Sequence, residues 1–414
     1  MDTGDTAWIL ASSALVLLMT PGLAFFYGGM VRSKAVLNMM MMSFSALAII
    51  PVLWVLYGYS FAFSPGGNGL LGGFERLGLD NISADTAYGT IPEYVFVGFQ
   101  LMFAIITVAL ISGAIADRAK FTAWLVFVPV WMTIVYFPVA HWVFDFGADG
   151  GWIATKLDAI DFAGGTAVHI NAGAAGLALA LVLGKRVGWK RDPMRPHNLP
   201  FVLLGAGLLW FGWFGFNAGS ALGANGTAGL AFVNTAVATA AAIIGWIAVE
   251  FWRDKKGTSL GAASGAIAGL VAITPAAGAL SPFGSIFLGL VAGSLCAVAV
   301  GLKYKLGYDD SLDVVGVHLV GGLVGTLLIG LLAVGDGLFY GGSLELLGRQ
   351  TVAAAVVLAY SFVLTYVIGK LIDVTIGFRV SEEDEVTGID QVEHLETAYD
   401  YGSSSGGSNF LKEL

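Results

Sequence analysis

Long apolar segments recur along the whole sequence, and they restrict the fold more than any other feature. A transmembrane helix needs about 20 consecutive, mostly apolar residues. Only 12% of the 414 residues are charged, whereas soluble domains carry about a quarter. The predicted fold class is therefore an all-α polytopic membrane protein, surrounded by a lipid bilayer. Eleven transmembrane helices are expected, over residues 6–31, 35–61, 92–116, 121–143, 162–184, 198–220, 228–251, 258–279, 283–306, 313–333 and 350–378.

The basic residues predict the orientation of these helices. Cytoplasmic loops of membrane proteins carry an excess of Lys and Arg, and alternate loops together with the C-terminal segment hold 17 of the 20 basic residues. Arg76, Lys156 and Arg349 are the three on the other side. Because eleven spans place the termini on opposite sides, we expect the N-terminus outside and the C-terminus in the cytoplasm.

Two regions of different composition are expected in the chain. Residues 1–378 should form the transmembrane domain. Residues 379–414 contain nine acidic and two basic residues and should form a cytoplasmic tail. Within that tail, residues 382–401 are expected to form short helices against the cytoplasmic loops, and the Gly-Ser-rich residues 402–408 to be disordered.

Two stretches of the chain match each other at a fixed offset. One runs from Asp161 to His169 and the other from Asp310 to His318, and both pairs are 149 residues apart. The two stretches open the fifth and tenth predicted helices, which run in opposite directions. This arrangement predicts a five-plus-five inverted repeat with an additional eleventh helix, an architecture in which the working site lies near the bilayer midplane.

The two histidines are expected to meet inside the membrane. Eight residues at about 1.5 Å per residue place each histidine about 12 Å deep, from opposite faces of a hydrocarbon layer about 30 Å thick. Ionisable residues at that depth are usually functional, although a packing role for His169 and His318 is the alternative. A metal site would need a further ligand, and none is placed at this depth, so no metal and no other cofactor is expected.

Aspartates and aromatic residues form the remaining candidate groups. Asp161 and Asp310 are expected as N-caps of their helices, with a role in transport as the alternative, and Asp313 adds favourable charge to the first turn. The aromatic residues can be interfacial anchors, cation–π ligands or a hydrophobic constriction, and spacing does not decide among these. They are Phe99 and Phe103 on the third helix, and Trp210, Trp213, Phe214 and Phe216 on the sixth.

Five stretches closely resemble the bacterial ammonium transporters of the Amt/Mep/Rh family. The resemblance follows the chain in order over nearly its whole length. It implies eleven spans, a homotrimer with one pore through each protomer, and uptake of ammonium or ammonia, with methylammonium as a further candidate substrate. The stretches are DFAGGTAVHIN (161–171), GWFGFNAGSA (212–221), AFVNTAVATAAAIIGW (231–246), SGAIAGLVAITPA (264–276) and DDSLDVVGVH (309–318).

The resemblance also assigns expected roles to individual residues. His169 and His318 match the twin histidines of the narrow pore, and Phe103 and Phe216 match the phenylalanine gate above them. The outer vestibule that binds ammonium would be formed by Ser220, Phe103, Phe144, Trp213 and Asp161, with Tyr136 close by.

One position departs from the family pattern. The vestibule tryptophan of the family follows an Ala-His-x-Val sequence, and here Ala140-His141-Trp142-Val143 leads to Phe144. Phenylalanine is the weaker cation–π partner, so weaker ammonium capture is expected than in relatives that carry tryptophan. Trp142 or Trp152 in the neighbouring sequence is the alternative aromatic partner.

The tail resembles the family's tail from Gly377 to Tyr399, which is associated with communication between subunits and with docking of a PII-type regulatory protein. A His-Gly-Glu pattern common in relatives reads His394-Leu395-Glu396 here. A leucine resists a turn that glycine permits, so this substitution bears on the expected PII partner.

The function expected from these observations is ammonium uptake across the cytoplasmic membrane, with net charge transfer favoured. An ammonium sensor that signals through its tail and a passive ammonia channel are the alternatives. An enzyme is not expected, because no buried nucleophile, metal set or phosphate-binding loop is present in the pattern. Nucleic acid is not an expected partner.

Overall fold

The computed structural model describes residues 1–399 as a bundle of long helices. Ten of these helices are long and apolar enough to cross a membrane, and an eleventh apolar helix, Ser259–Ile273, has 15 residues. The described helices are α1 (Thr3–Met30), α2 (Val36–Phe63), α3 (Glu93–Ile115), α4 (Phe121–Phe144), α5 (Gly165–Leu183), α6 (Leu199–Gly219), α7 (Gly226–Asp254), α8 (Ser259–Ile273), α9 (Pro282–Leu306), α10 (Val315–Leu332), α11 (Glu345–Thr375), α12 (Glu382–Thr387) and α13 (Ile389–His394).

These helices confirm the prediction of an all-α polytopic membrane protein. Each predicted apolar segment coincides with a helix, and most boundaries agree within three residues. The largest difference is α8, which ends at Ile273 rather than at residue 279 because residues 274–279 form a turn stabilised by hydrogen bonds from Ala276 to Ile273 and from Ala279 to Ala276.

Four of the spans contain a π-helical turn, and two of these turns follow a proline. Pro51 precedes the turn Trp54–Gly58 in α2, and Pro129 precedes the turn Met132–Tyr136 in α4. A proline inside a helix has no N–H to donate and its ring clashes with a preceding carbonyl. The wider turn that follows accommodates this break without ending the span.

Helices α5 and α10 cross in opposite directions at the centre of the bundle. Gly165 at the start of α5 packs against Thr326 near the end of α10, whereas Gly176 farther along α5 packs against Val314 at the start of α10. Midway, a Cβ atom on Gly173 would lie 2.5 Å from the backbone nitrogen of Leu319. The crossing therefore requires glycine at position 173, since any larger residue would separate the two backbones.

Small residues also bring α7, α8 and α9 together. Gly265 and Gly269 of α8 lie against α7, where a Cβ on Gly269 would be 2.6 Å from the Cβ of Ala242. From the other side, Gly293 of α9 lies against the Ala242 carbonyl of α7. Close backbone approach of this kind is how helices associate in lipid, where no hydrophobic force drives them together.

The described part of the tail packs against the end of the bundle where α2 and α4 begin, which we call the tail end. The carboxylate of Asp390 accepts hydrogen bonds from the backbone N–H groups of Leu37 (3.0 Å) and Asn38 (2.8 Å) at the start of α2. Glu393 accepts one from the Phe121 N–H (3.0 Å) at the start of α4. Within the predicted range 382–401, α12 and α13 are short helices against the loops, residues 395–399 are not helical, and residues 400–408 lie outside the described residues.

A buried ion-pair network joins three loops at the tail end. The Arg186 guanidinium donates to Asp309 Oδ1 (2.9 Å) and to Asp117 Oδ2 (3.0 Å), and all three side chains are buried. Burial tends to raise the pKa of Asp309, but its hydrogen bonds with Arg186 outweigh this effect and hold the pKa below its ordinary value of 3.8.

Replacing Arg186 by methionine is expected to destabilise the protein by about 3–5 kcal/mol, because removal of one partner leaves buried carboxylates unpaired. Thermal unfolding of the detergent-solubilised protein measures this loss. The contribution of Asp309 is fully present above pH 3.8 and is lost as the pH falls through its lowered folded-state pKa. Exposed Arg191, changed to methionine, is the control; equal unfolding temperatures for the two variants would contradict the prediction.

Candidate functional site

An aromatic cavity opens at the end of the bundle opposite the tail. Its volume is ≈ 290 Å³, and it lies where α3 and α5 begin and α6 ends. Four of the five predicted vestibule residues line it, namely Phe103, Phe144, Asp161 and Ser220. Further lining residues include Tyr88, Phe96, Phe99, Gln100, Phe146 and Asp158.

Ser220 presents acceptor lone pairs to this cavity. Its hydroxyl donates a hydrogen bond of 2.8 Å to the carbonyl oxygen of Phe216, four residues earlier on α6. A serine hydroxyl has one donor and two acceptor positions. Because the donor is already engaged, the oxygen can only accept from a ligand, which suits a cation that carries N–H groups.

Asp161 lines the cavity but uses its carboxylate to cap α5. The two oxygens accept from the backbone N–H groups of Gly164 (2.7 Å), Gly165 (2.7 Å) and Thr166 (2.8 Å), and also from the Thr166 hydroxyl. This geometry fits the predicted N-cap and leaves the carboxylate as a fixed negative charge in the cavity wall, favourable both to the helix dipole and to a nearby cation.

Two phenylalanine rings close the floor of the cavity. The centroids of Phe103 and Phe216 are 4.2 Å apart with a tilt of 36°, and both rings are buried. Phe144 lies 6.2 Å from Phe103 on the cavity side. A hydrated ion cannot pass between rings in contact, so any passage here requires the rings to separate and the passing species to lose its water.

The two predicted pore histidines lie directly beyond the phenylalanine pair. His169 stacks at 6.2 Å on Phe216, and its Nδ1 is 3.3 Å from the Nδ1 of His318. One of the two Nδ1 atoms must carry the proton and the other must accept it. Both rings are buried, and the Nε2 of His169 has no hydrogen-bond partner among the described residues.

The local backbone explains why the histidines meet. His169 lies in the π-helical turn Gly165–Ile170 that opens α5, and His318 lies in the π-helical turn Val315–Leu319 that opens α10. Asp310 caps the second turn by accepting from the N–H groups of Val314 (3.1 Å) and Val315 (2.8 Å). π-Helical turns occur frequently at functional sites, and here each one follows a capping aspartate.

The carboxylate of Asp313, predicted to place a charge in the first turn, pairs with Lys303. This carboxylate accepts a hydrogen bond of 2.7 Å from the Lys303 ammonium, which also donates to the Asp310 carbonyl oxygen (2.8 Å). Burial, opposed by Lys303, raises the pKa of the Asp310 carboxyl to about 6. Asp310 and Asp313 therefore fit the predicted structural role at the start of α10.

Trp213 does not line the cavity and lies below it, against His169. The indole stacks on the His169 ring at 5.5 Å with an interplanar angle of 18°, and its N–H donates to Thr274 Oγ1 at 2.8 Å. The Thr274 hydroxyl donates in turn to the Leu270 carbonyl (2.7 Å), which fixes its acceptor position. In this position Trp213 orients the first histidine.

The comparisons with known proteins decide the family. The model of the Ammonium Transporter Family matches residues 7–399. A protein of Mycobacterium tuberculosis named ammonium transporter is 59% identical over 438 aligned positions, which cover 98% of this chain and 92% of that protein. An ammonium transporter of Bacillus subtilis is 50% identical, with 96% and 99% covered. This chain belongs to the ammonium transporter family.

Solved structures agree with this assignment. The crystal structure of Candida albicans Mep2 matches this family member with a TM-score of 0.86 and 34% identity, covering 93% of this chain and 88% of that one. A structure titled Sensor Amt Protein matches with a TM-score of 0.88 and 28% identity, covering 94% and 98%. The family consists of transporters rather than enzymes, and this member is a multi-pass membrane protein.

The tryptophans considered as substitutes at the vestibule do not line the cavity of this family member. Trp142 donates to the Leu70 carbonyl oxygen (2.8 Å), and its ring lies 6.0 Å from that of Trp152 and 4.6 Å from that of Tyr360. Phe144 and Phe146 occupy the cavity wall instead. Tyr136 is buried and also lies outside the lining.

Two of the buried polar residues near this end of the bundle, His141 and Gln100, were not predicted as such from the sequence. His141 is buried at the end of α4, where its ring nitrogens approach the carbonyl oxygens of Ala62 (2.9 Å) and Asn68 (2.6 Å). This position is at the helix end, far from the paired histidines in sequence, and the Asp145 carboxylate also lies 3.3 Å from its Nδ1. The second residue is Gln100, which lines the cavity. Gln100 lies four residues after Phe96 and three residues before Phe103, both of which line the cavity. This helical spacing was the sequence signal that could have identified it.

Among residues 1–399, no three His, Cys, Asp or Glu side chains form a group that could hold a metal ion.

Proposed function

We propose that this protein takes up ammonium across the cytoplasmic membrane by binding the cation in the aromatic cavity and conducting ammonia through the histidine pair. The single observation that carries the proposal is the unbroken succession from cavity to Phe103 and Phe216 and then to His169 and His318. Relatives named ammonium transporter at 59% and 50% identity support the substrate.

The chemistry follows from the cost of desolvation. Moving a bare ion into a low-dielectric passage costs several kcal/mol even after relaxation, and the phenylalanine pair offers no replacement for its water. Potassium has no proton to release. Ammonium can release one above the gate, cross as neutral ammonia, and be reprotonated in the cytoplasm.

Neutral imidazoles suit such a passage because each can donate and accept a hydrogen bond. The contact between the two Nδ1 atoms leaves the Nε2 atoms to serve the passing molecule. Separate transfer of the released proton through the histidines and water would make the transport electrogenic, which is the mechanism we favour over passive ammonia diffusion. A sensing role is less well supported, because the structure titled as a sensor is 28% identical.

Further features of the family are proposed for this chain as well. They are eleven spans in a five-plus-five inverted repeat, N-terminus outside and C-terminus inside, a domain division at residue 378, and a homotrimer. Native mass spectrometry tests the trimer. Because the one cysteine, Cys296, is buried, single cysteines at exposed Asp85 and Lys190 can report orientation with an impermeant thiol reagent, with labelling from outside expected only at position 85.

Currents after an ammonium jump in proteoliposomes test the central proposal. A saturable current with ammonium but not with potassium is expected. The His169→Ala variant should lose that current or that selectivity, because water replaces an imidazole in the pore. His197→Ala, in which the changed histidine lies at the tail end, should behave as the parent protein. Internal alkalinisation without current would indicate a passive ammonia channel, and binding without either signal a sensor.

Phe144→Trp is expected to lower the apparent half-saturation concentration about two- to fivefold, since tryptophan is the better cation–π partner by about 0.5–1 kcal/mol. The ammonium dependence of the current measures it. Phe146→Trp is the matched control: Phe146 lines the same cavity but is 67% exposed, so water screens its ring and the change should be smaller. An unchanged half-saturation in Phe144→Trp would sink the idea.

A PII-type regulatory protein is the proposed partner at the tail end. Leu395 adopts the left-handed conformation (φ 57°) at the end of α13 and is exposed, a conformation that glycine adopts without strain. Leu395→Gly should therefore hold the tail in place at least as firmly and preserve PII capture in a pull-down with effector nucleotides. Leu395→Ala, which keeps the Cβ atom, is the control. Absence of capture for all three proteins would refute a PII partner.

A further inference from the structure

The aromatic cavity contains a polar side chain, Gln100, whose amide group no described protein group engages. Gln100 is 8% exposed, yet its carboxamide has no hydrogen-bond partner among the described residues, whereas Asp161 and Ser220 in the same wall are both engaged. Buried polar groups are nearly always hydrogen-bonded. Leaving a polar group buried without a partner is unfavourable, so this amide requires a partner that comes from the cavity.

The position of Gln100 on α3 determines where that partner lies. Phe96, Phe99, Gln100 and Phe103 follow the i, i+3, i+4, i+7 pattern that places residues on one helix face, and all four line the cavity. The amide atoms of Gln100 are not completely enclosed by protein. The accessible part of the amide therefore faces the cavity. It is one helical turn nearer the cavity mouth than Phe103.

We propose that Gln100 is a specificity-determining residue of the cavity, whose Oε1 accepts a hydrogen bond from the ammonium ion before the ion reaches the phenylalanine pair. The inference rests on the proposed function of this cavity. An ammonium ion has four N–H donors, and besides ring faces the cavity offers it the Ser220 oxygen and the carboxylates of Asp158 and Asp161, which already accept hydrogen bonds from protein donors. The Gln100 oxygen adds a neutral acceptor that no described protein donor occupies.

The neutral amide is chemically suited to this task. A carboxylate at the same position would carry a full charge into an apolar wall, at a large desolvation cost, and would hold the cation too firmly for release through the gate. A carbonyl oxygen provides an acceptor without that charge. It therefore increases capture of ammonium while allowing the ion to leave, as conduction through any selective site requires.

The test compares Gln100→Met with Gln100→Glu in the proteoliposome current assay. Gln100→Met removes both polar atoms at similar length and should raise the apparent half-saturation for ammonium about tenfold, as expected for a lost hydrogen bond to a charged group, while the maximal current stays within about twofold. Gln100→Glu keeps an acceptor oxygen and should hold the half-saturation at or below the parent value. Leu101→Met, the adjacent position outside the cavity lining, should leave both quantities unchanged.

A second measurement separates this inference from the proposed function. The unfolding temperature of the purified protein should rise with ammonium chloride relative to potassium chloride, since a ligand that binds only the folded state stabilises it, and the rise should be smaller in Gln100→Met. Absence of both current and internal alkalinisation in the parent protein would refute transport, yet a weakened thermal shift would still support Gln100 as a ligand. An unchanged half-saturation together with an unchanged thermal shift in Gln100→Met would overturn the inference. A variant that loses maximal current and protein abundance, but keeps the parent half-saturation, would overturn it as well.

Discussion

The close crossing of α5 and α10 is the contact on which the central site depends. Gly173 lets the two backbones touch, and Gly165 and Gly176 continue the contact in opposite directions along the helices. In lipid such contacts replace the hydrophobic force that holds soluble proteins together. A larger residue at the crossing would move the helices apart, and the 3.3 Å contact between the histidine Nδ1 atoms would be lost.

The two capping aspartates are the second condition for this geometry. A helix that begins inside a membrane protein leaves its first N–H groups without partners, and Asp161 and Asp310 satisfy those groups through their carboxylates. Each cap is followed by a π-helical turn that carries a histidine. Matching local structures on two antiparallel helices thus bring the same side chain to the centre from both directions.

The charges that remain are concentrated at the two ends of the bundle. At the tail end, Arg186 links Asp117 and Asp309, while Asp390 and Glu393 of the tail cap the starts of α2 and α4. The tail contacts therefore lie at the loops that lead into α2 and α4. The opposite end carries the cavity, and there the charged groups include the pair of Arg349 with Asp158 of the cavity lining. Charged groups therefore hold the tail, whereas the cavity wall consists mainly of aromatic rings and acceptor oxygens.

The sequence by itself determined the class of the fold, the location of each apolar helix and the pairing of the two histidines. Each depends on local quantities that the residues carry with them: hydropathy over about 20 residues, the helical rise, and a repeat at 149 residues. Helix ends such as that of α8 were less accurate, because turns form from contacts between segments. Only the tertiary structure decided that Phe144 and not Trp142 lines the cavity, that Trp213 stacks on His169, and that Gln100 lacks a protein partner. The physical reason is that a partner, or its absence, is a property of distant segments brought into contact, which no pattern along a single helix contains.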